Sequence, residues 1–502
     1  MNIGEELSGS RITMPLAQRE VNTDISEDVT LPDYLPEIRK VLYVKENALP
    51  PAKFISGGKA DVSGVIDYTL MYVSGDGSLC SAPVSAEYSF ALPLDNMSDY
   101  EISEGLTVMA HTFCEGTSVR VSAPRRLQLK SHLRTAVGVW GKMLAAEKIV
   151  GLEEGSAIER QRPSVSNLEL LCESSDIVTL EDEYVLMSAE SRIASAQASV
   201  AVNEARADGD ALKISGEAIV KLLVDNGDNG GFERVIRRLP FEAETELDGI
   251  ELGDNSACRA SGYITDLSVT VEEGKAAIEA NLVLEVCVAS NKEVSYTADV
   301  YSTEQKSQCI TKELAIPRVL CNKNAALSLG ERVSLEELGI PEGAELIDVS
   351  AFAAINNAAL SDGKYVLRGS CKYCFIFNKD GEYAYSEVRL PVKYECDTPT
   401  DKYDVSSFDA VADVISCRAK SDGESLNVDS ELMLSMSLFG SSDATMLDKV
   451  EFGGKHEKRR GVFAVCYPSS EDTLWSVAKR YAVEQSAIAG DPETDSFVMI
   501  EM

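Results

Sequence analysis

The chain has 502 residues and 44% apolar content, enough for three or four domains with real cores. It carries 82 acidic against 47 basic residues, a net charge of −35. A field of that sign repels nucleic-acid phosphates and anionic lipid headgroups, and it favours a basic partner surface.

The first residues, Met1 to Arg19, lack a basic start followed by an apolar run, so a secretory signal is not expected. No window holds the ~18 apolar residues of a membrane helix, so no membrane insertion is expected. The cysteines at 80, 114, 172, 258, 287, 309, 321, 371, 374, 396, 417 and 466 are scattered singly. Without an export signal they read as reduced thiols of a cytosol.

Before Asp472 the chain reads as strand almost throughout, with period-two alternation broken by Gly, Asp and Asn turns. The first marked segment is Leu31-Pro32-Asp33-Tyr34-Leu35-Pro36-Glu37-Ile38, two prolines flanking a turn that feeds a strand. A hairpin pattern follows from Gly64 through Tyr68 and Tyr72 to Asp76-Gly77. It recurs from Gly216 through Val220 and Val224 to Asp228-Asn-Gly230, and from Gly369 through Tyr373 and Phe377 to Asp380-Gly381. The lead glycines lie 152 and 153 residues apart (216 − 64 and 369 − 216). In each, the bulky residues four and eight positions on share a face, and the glycine turn supplies the positive φ a hairpin needs. A second strand then closes on Phe90, on Leu239-Pro240-Phe241 or on Leu390-Pro391-Val392, and a later turn glycine is expected at Gly116, Gly274 and Gly423. Self-similarity at this period predicts three β domains of like topology. Their boundaries are 1–150, 165–310 and 312–452, with a polar connector from Val150 to Pro163. A short helix is expected at Ser334–Leu338, and 453–461 reads as a basic linker.

The end of the chain changes character. Asp472 reads as an N-cap, and Leu474, Val477, Ala478 and Tyr481 fall on one helical face. Lys479 and Arg480 sit in the last turn, where cations suit the negative end of the dipole. A second short helix over Glu484 to Ala489 is stopped by Gly490-Asp491-Pro492. Extended segments flank the pair at Val462–Tyr467 and Phe497–Ile500. Trp475 is expected to pack at the edge of a small sheet with one side open.

The order strand-helix-helix-strand, with Val465, Tyr467, Asp472-Thr473-Leu474-Trp475-Ser476-Val477-Ala478-Lys479-Arg480-Tyr481, Val483 and Ile488, resembles a LysM domain. Glu471 stands where that family usually has glycine, and Gly490-Asp491 where it has asparagine. The segment Leu31, Pro32, Asp33, Pro36, Glu37, Ile38, with Gly64, Tyr68, Tyr72 and Gly77 downstream, resembles the SPOCS domain; Glu37 replaces that motif's second Asp. The second and third hairpins lack the Leu-Pro-Asp segment. The whole layout is similar to spore-coat morphogenetic proteins of endospore-forming Firmicutes, of the stage VI sporulation protein D type. The resemblance implies a mainly β chain, with three tandem β-sandwich-like SPOCS repeats followed by a small α+β (βααβ) LysM domain at 462–502. It implies a non-enzymatic adaptor in the mother-cell cytoplasm, recruited to the forespore surface. The expected partners are spore-coat morphogenetic proteins, the coat's basement-layer ATPase among them. Asp472, Thr473, Leu474 and Trp475 would form the binding segment. The alternative is a binder of peptidoglycan or another N-acetylglucosamine polymer.

No arrangement of nucleophile and base stands out. His111, His132 and His456 are the only histidines, and there is no phosphate-binding Gly-Lys loop and no Gly-x-Ser-x-Gly elbow. Cys371-Lys-Tyr-Cys374 lies in an alternating strand, where positions i and i+3 point to opposite faces, so neither metal nor redox pairing is expected there. No cofactor is expected.

Overall fold

The computed structural model describes residues 10–94, 102–145, 147–175, 177–188, 190–209, 211–227, 231–246, 257–396, 403–457 and 461–501. The alternation along the sequence is realised as a mainly β chain with a single α-helix among these residues. The expected turn at Asp228–Gly230 and the basic residues Lys458–Arg460 lie outside them.

The chain begins with β1 (Ser10–Thr30), β2 (Ile38–Ala48), β3 (Ala52–Ser56), β4 (Lys59–Ser74), β5 (Leu79–Pro93), β6 (Ile102–Ala123) and β7 (Arg126–Ala145). One sheet has the order β1-β7-β6; in the other, β4 pairs with β2, β3 and β5. Ile66, Tyr68, Leu70 and Tyr72 of β4 meet Leu127, Leu129 and Leu133 of β7 in a dry core between the sheets. After the short strands β8 (Lys148–Val150) and β9 (Ile158–Gln161) come β10 (Ser164–Ser174), β11 (Val178–Val185), β12 (Arg192–Asp208), β13 (Ala211–Asp225), β14 (Phe232–Glu246), β15 (Ala257–Glu272) and β16 (Lys275–Ser295). Here β16 pairs with β10, β11 and β15, facing a sheet β12-β13-β14. Then β17 (Asp299–Ser302) pairs back with β9. A third sandwich has β18 (Gln305–Ser334), β19 (Glu345–Ser361), β20 (Lys364–Lys379), β21 (Glu382–Cys396), β22 (Ser407–Ser421) and β23 (Ser425–Lys455), in sheets β18-β23-β22 and β19-β20-β21. β8 joins β23 as a parallel neighbour.

Gly64, Gly216 and Gly369 each occupy the sixth position of β4, β13 and β20. A methyl group on Gly216 or Gly369 would run into the carbonyl oxygen of Ala201 or Ala354, and one on Gly64 into the Tyr88 hydroxyl at 2.5 Å. The carbonyl approach comes from bulges in the partner strand, between Val202 and Glu204 and between Ile355 and Asn357. Four residues on, Tyr68 donates to Ser131 Oγ at 2.7 Å, and Tyr373 bonds Ser430 Oγ at 2.7 Å. Both serines are the sixth residue of their strands, β7 and β23. In the middle sandwich the matching positions are Val220 and Ala280, both fully buried. Hydroxyl and partner are present together or absent together, which leaves no orphaned polar group.

The sandwiches do not stand apart. β5 touches β12, β12 touches β22, and β2 touches β21, so each sandwich contacts both others. Arg39 of β2 pairs with Glu382 of β21 at 3.0 Å, and Arg234 of β14 donates to the Ile347 carbonyl of β19. The head-to-tail contact thus closes after three steps. Met71, Leu223 and Ile376, each seven residues past its glycine, meet in one apolar cluster. Trp140, Ala289 and Phe439, each fifteenth in its strand, share another. Asparagine amides bridge the remaining backbone: Asn167 exchanges both hydrogen bonds with Thr13, Asn291 with Val319 and Asn324 with Ala260. Each amide serves a strand of a neighbouring sandwich as a peptide group would.

Several expectations need correction. Gly116 lies within β6 beside a bulge, and the β6–β7 turn is Pro124-Arg125; Gly274 and Gly423 do sit in turns with positive φ. Ser334–Leu338 makes one hydrogen-bonded turn, not a helix, because Gly339 and Pro341 stop it at once. β23 runs on to Lys455, so the first part of the expected basic linker belongs to the strand; Lys455 pairs with Glu153 at 2.9 Å. No helix among the described residues is long and apolar enough to cross a membrane.

Candidate docking site at the C-terminal module

The last forty residues form β24 (Phe463–Cys466), α1 (Leu474–Tyr481), a 3-10 turn at Gln485–Ala487, β25 (Ile488–Ala489) and β26 (Val498–Glu501), with sheet order β24-β26-β25. The N-cap is Thr473, one residue later than expected. Its hydroxyl accepts from Ser476 N while Ser476 Oγ accepts from Thr473 N, a reciprocal capping box. Asp472 instead clamps the loop. It accepts from Ser469 N at 2.9 Å and pairs with Arg480, and these contacts, Arg480 first, hold its carboxyl down to about 2. The helix ends at Ala482, whose left-handed backbone donates back to Ala478 and Lys479. The expected second helix is only the 3-10 turn.

The helix face expected from the spacing is the buried one. Val477 and Ala478 are fully buried, and Tyr481 packs with Cys466, Val498 and Ile500. Leu474 is half-buried. Trp475 is 9% exposed, and what covers it is the rest of the chain. Its ring meets Tyr301 of β17 edge-on at 4.9 Å, and its Nε1 donates to Asp299 Oδ2 at 2.8 Å. Lys479 bonds both Asp299 oxygens at 2.6 and 2.7 Å, and Tyr301 donates to the Val483 carbonyl at 2.8 Å. Burial pushes the Asp299 carboxyl up, but the Lys479 ammonium and the indole N–H more than reverse this and leave it below the usual carboxylate value. Of the four expected binding residues, Asp472 and Thr473 therefore hold the loop and helix start, Leu474 is half-covered, and Trp475 anchors the module on β17.

The opposite face of the small sheet is open. Alternation turns Ala464, Cys466, Val498 and Ile500 inward and Phe463, Val465, Tyr467, Phe497 and Met499 outward. These five are 42–77% exposed, and Tyr467 and Phe497 lie 6.5 Å apart. The outer face of a one-sided sheet is normally polar. The continuous apolar run Val462 to Tyr467 was the sequence signal for this face. β17 as the module's seat left no such signal.

The other motif residues close one end of the first sandwich. Leu31 and Ile38 are core residues, and Leu31 N and Ile38 N donate to the carbonyls of Arg125 and Pro124. Arg125 reaches the carbonyls of Pro32 and Leu35 and lies 3.8 Å from Glu37. Tyr72 donates to the Pro36 carbonyl at 3.1 Å, Asp33 is exposed, and Gly77 forms the β4–β5 turn at φ 89°. These residues fix a corner of the fold. Cys371 enters the third core while Cys374 lies on the other face of β20, near Glu387 and Tyr385. Among the described residues, no cluster of His, Cys, Asp or Glu could hold a metal ion. No family model, no curated protein and no solved structure matches the chain.

Proposed function

We propose that the chain is a non-enzymatic adaptor of spore-coat assembly, built of three tandem SPOCS-type repeats and a terminal LysM-like module. The repeat reading rests on the shared strand order, the three glycines at one strand position, and the Tyr–Ser pairs that become Val–Ala in the middle sandwich. The single observation behind the docking role is the exposed apolar face of Phe463, Val465, Tyr467, Phe497 and Met499. A face of this kind favours contact with another protein. Residues 462–501 carry seven acidic and two basic side chains, and both cations are engaged within the chain. The occupant is therefore an extended basic segment of a coat protein with apolar residues on alternate positions, laid along the edge of β24. The expected partner is the coat's basement-layer ATPase, met on the mother-cell side of the forespore.

The exposed rings of Tyr467 and Phe497 favour a second reading, since aromatic faces also stack on sugars. Co-sedimentation of the full chain with the purified ATPase and with insoluble peptidoglycan separates the two. The adaptor reading expects ATPase binding, at least tenfold weaker in Val465→Glu with circular dichroism unchanged, and no retention on peptidoglycan. Retention on peptidoglycan without ATPase binding replaces it with the glycan reading.

A further inference from the structure

Four of the twelve cysteines are brought together in two pairs that their positions in the sequence do not announce. Cys172 of β10 stands directly opposite Cys287 of β16, with the two sulfurs 3.1 Å apart. Cys321 of β18 and Cys396, the last residue of β21, hold their sulfurs 3.5 Å apart and link the two facing sheets of the third sandwich. In each pair one member is buried, Cys287 or Cys396, and the other, Cys172 or Cys321, reaches solvent in part.

Each pair also has a cation beside it. Arg259 is the cross-strand partner of Cys287 on the side away from Cys172. Lys323 follows Cys321 by two residues on the same strand face, with its ammonium over the Tyr394 ring. Cations stabilise thiolates, and the thiolate is the reactive form. The Cys172 thiol and Arg259 together favour ionisation of Cys287, although burial and the Asp409 carboxylate paired with Arg259 oppose it; the neighbouring sulfur and burial push the Cys172 and Cys321 thiols up.

We propose that Cys172–Cys287 and Cys321–Cys396 are two oxidisable thiol pairs, each closing to a disulfide when the folded chain meets a small-molecule disulfide such as oxidised glutathione. One cysteine of the pair, as its thiolate, attacks one sulfur of the reagent, forming a mixed disulfide and releasing one reagent thiolate. Its partner's thiolate then attacks the protein sulfur of that mixed disulfide and expels the second. Two electrons pass from the protein thiols to the reagent, whose two leaving thiolates take up the two protons. The products are one protein disulfide and two reagent thiols per pair. The first bond would join residues 115 apart within one sheet, and the second residues 75 apart across two sheets. Both constrain the unfolded chain more than the folded one.

The test uses the full-length folded protein, reduced, desalted and exposed to oxidised glutathione. Thiols are then blocked with iodoacetamide, and the digest is mapped by mass spectrometry without reduction. Two linked peptides are expected, 172 to 287 and 321 to 396, with thiols titratable in denaturant falling from twelve to eight. The oxidised form should melt higher, and dithiothreitol should reverse this. Cys172→Ser should remove the first link and keep the second, and Cys321→Ser the converse. Glutathione adducts without internal links, scrambled pairings or twelve remaining thiols would each overturn the proposal.

Discussion

Tyr373 and Ser430 each satisfy the other's hydroxyl. Their hydroxyls meet at 2.7 Å in the core of the third sandwich, where neither can turn to water. Tyr373→Phe leaves Ser430 Oγ unpartnered and should cost about 1–2 kcal/mol; Ser430→Ala should cost somewhat less, because the phenol keeps the weakly accepting Cys371 sulfur beside it. The double variant should cost clearly less than the sum of the two, because no buried polar atom is then left alone. Urea melts of the four proteins measure this, and additive costs would mean that the hydroxyls do not depend on each other. The tyrosine, valine and tyrosine positions were legible from the spacing alone. The serine partners were not: they lie 57 and 63 residues away on a strand whose inward face reads as apolar in any register. The asparagine bridges were equally silent, since a lone Asn at a strand edge looks like any solvated residue.

The C-terminal helix was readable from the sequence and its seat was not. Periodicity identifies the buried face of α1, because 3.6-residue spacing is a local property. It does not indicate that Trp475 and Lys479 both reach Asp299, 176 and 180 residues away. Asp299→Ala removes the acceptor for both and leaves the module's own core intact. Limited proteolysis should then cut between 456 and 463 at least several times faster, with the three sandwiches still protected. An unchanged cleavage rate would show that β17 is not what holds the module. The contact also has a pH window. The folded-state Asp299 carboxyl titrates below its ordinary value of about 3.9, so its stabilising contribution is complete above that value and is lost as pH falls through the lower one. The wild-type cleavage rate should therefore be flat from pH 8 to about pH 5 and rise only in stronger acid.

For the whole molecule, the decisive feature is that the sandwiches share apolar clusters. Leu223 is buried with Met71 and Ile376, so its contacts belong to three sandwiches at once. Leu223→Ala should cost about 2–5 kcal/mol. In calorimetry of the full chain it should move the sandwich endotherm as a whole; splitting into separate transitions would show the sandwiches to be independent. Two opposite charges lie half-buried between them. Asp413 of β22 is pushed up to about 7 by burial, against the opposing pull of Lys45 of β2, itself pushed down to about 8 by burial. Between pH 4 and 7 the folded state then holds a proton that the unfolded chain has released, and this stability is lost as pH rises through 7. Asp413→Asn should raise the melting temperature by a few degrees at pH 8 and change little at pH 5. A uniform shift at both values would argue against the titration.

The closed head-to-tail ring of three sandwiches lies on one polypeptide. In a ring of three identical separate chains, any substitution at a shared contact is imposed three times, and none can be tried at a single corner. Tandem linkage lifts that restriction. Val220 and Ala280 stand where the other two sandwiches have a tyrosine and a serine, a difference that one corner can carry alone because all three lie on one polypeptide. Linkage also gives a three-cornered body one seat for its terminal module, at β17. The ring thereby gains an orientation, with a single tether marking one of its three corners.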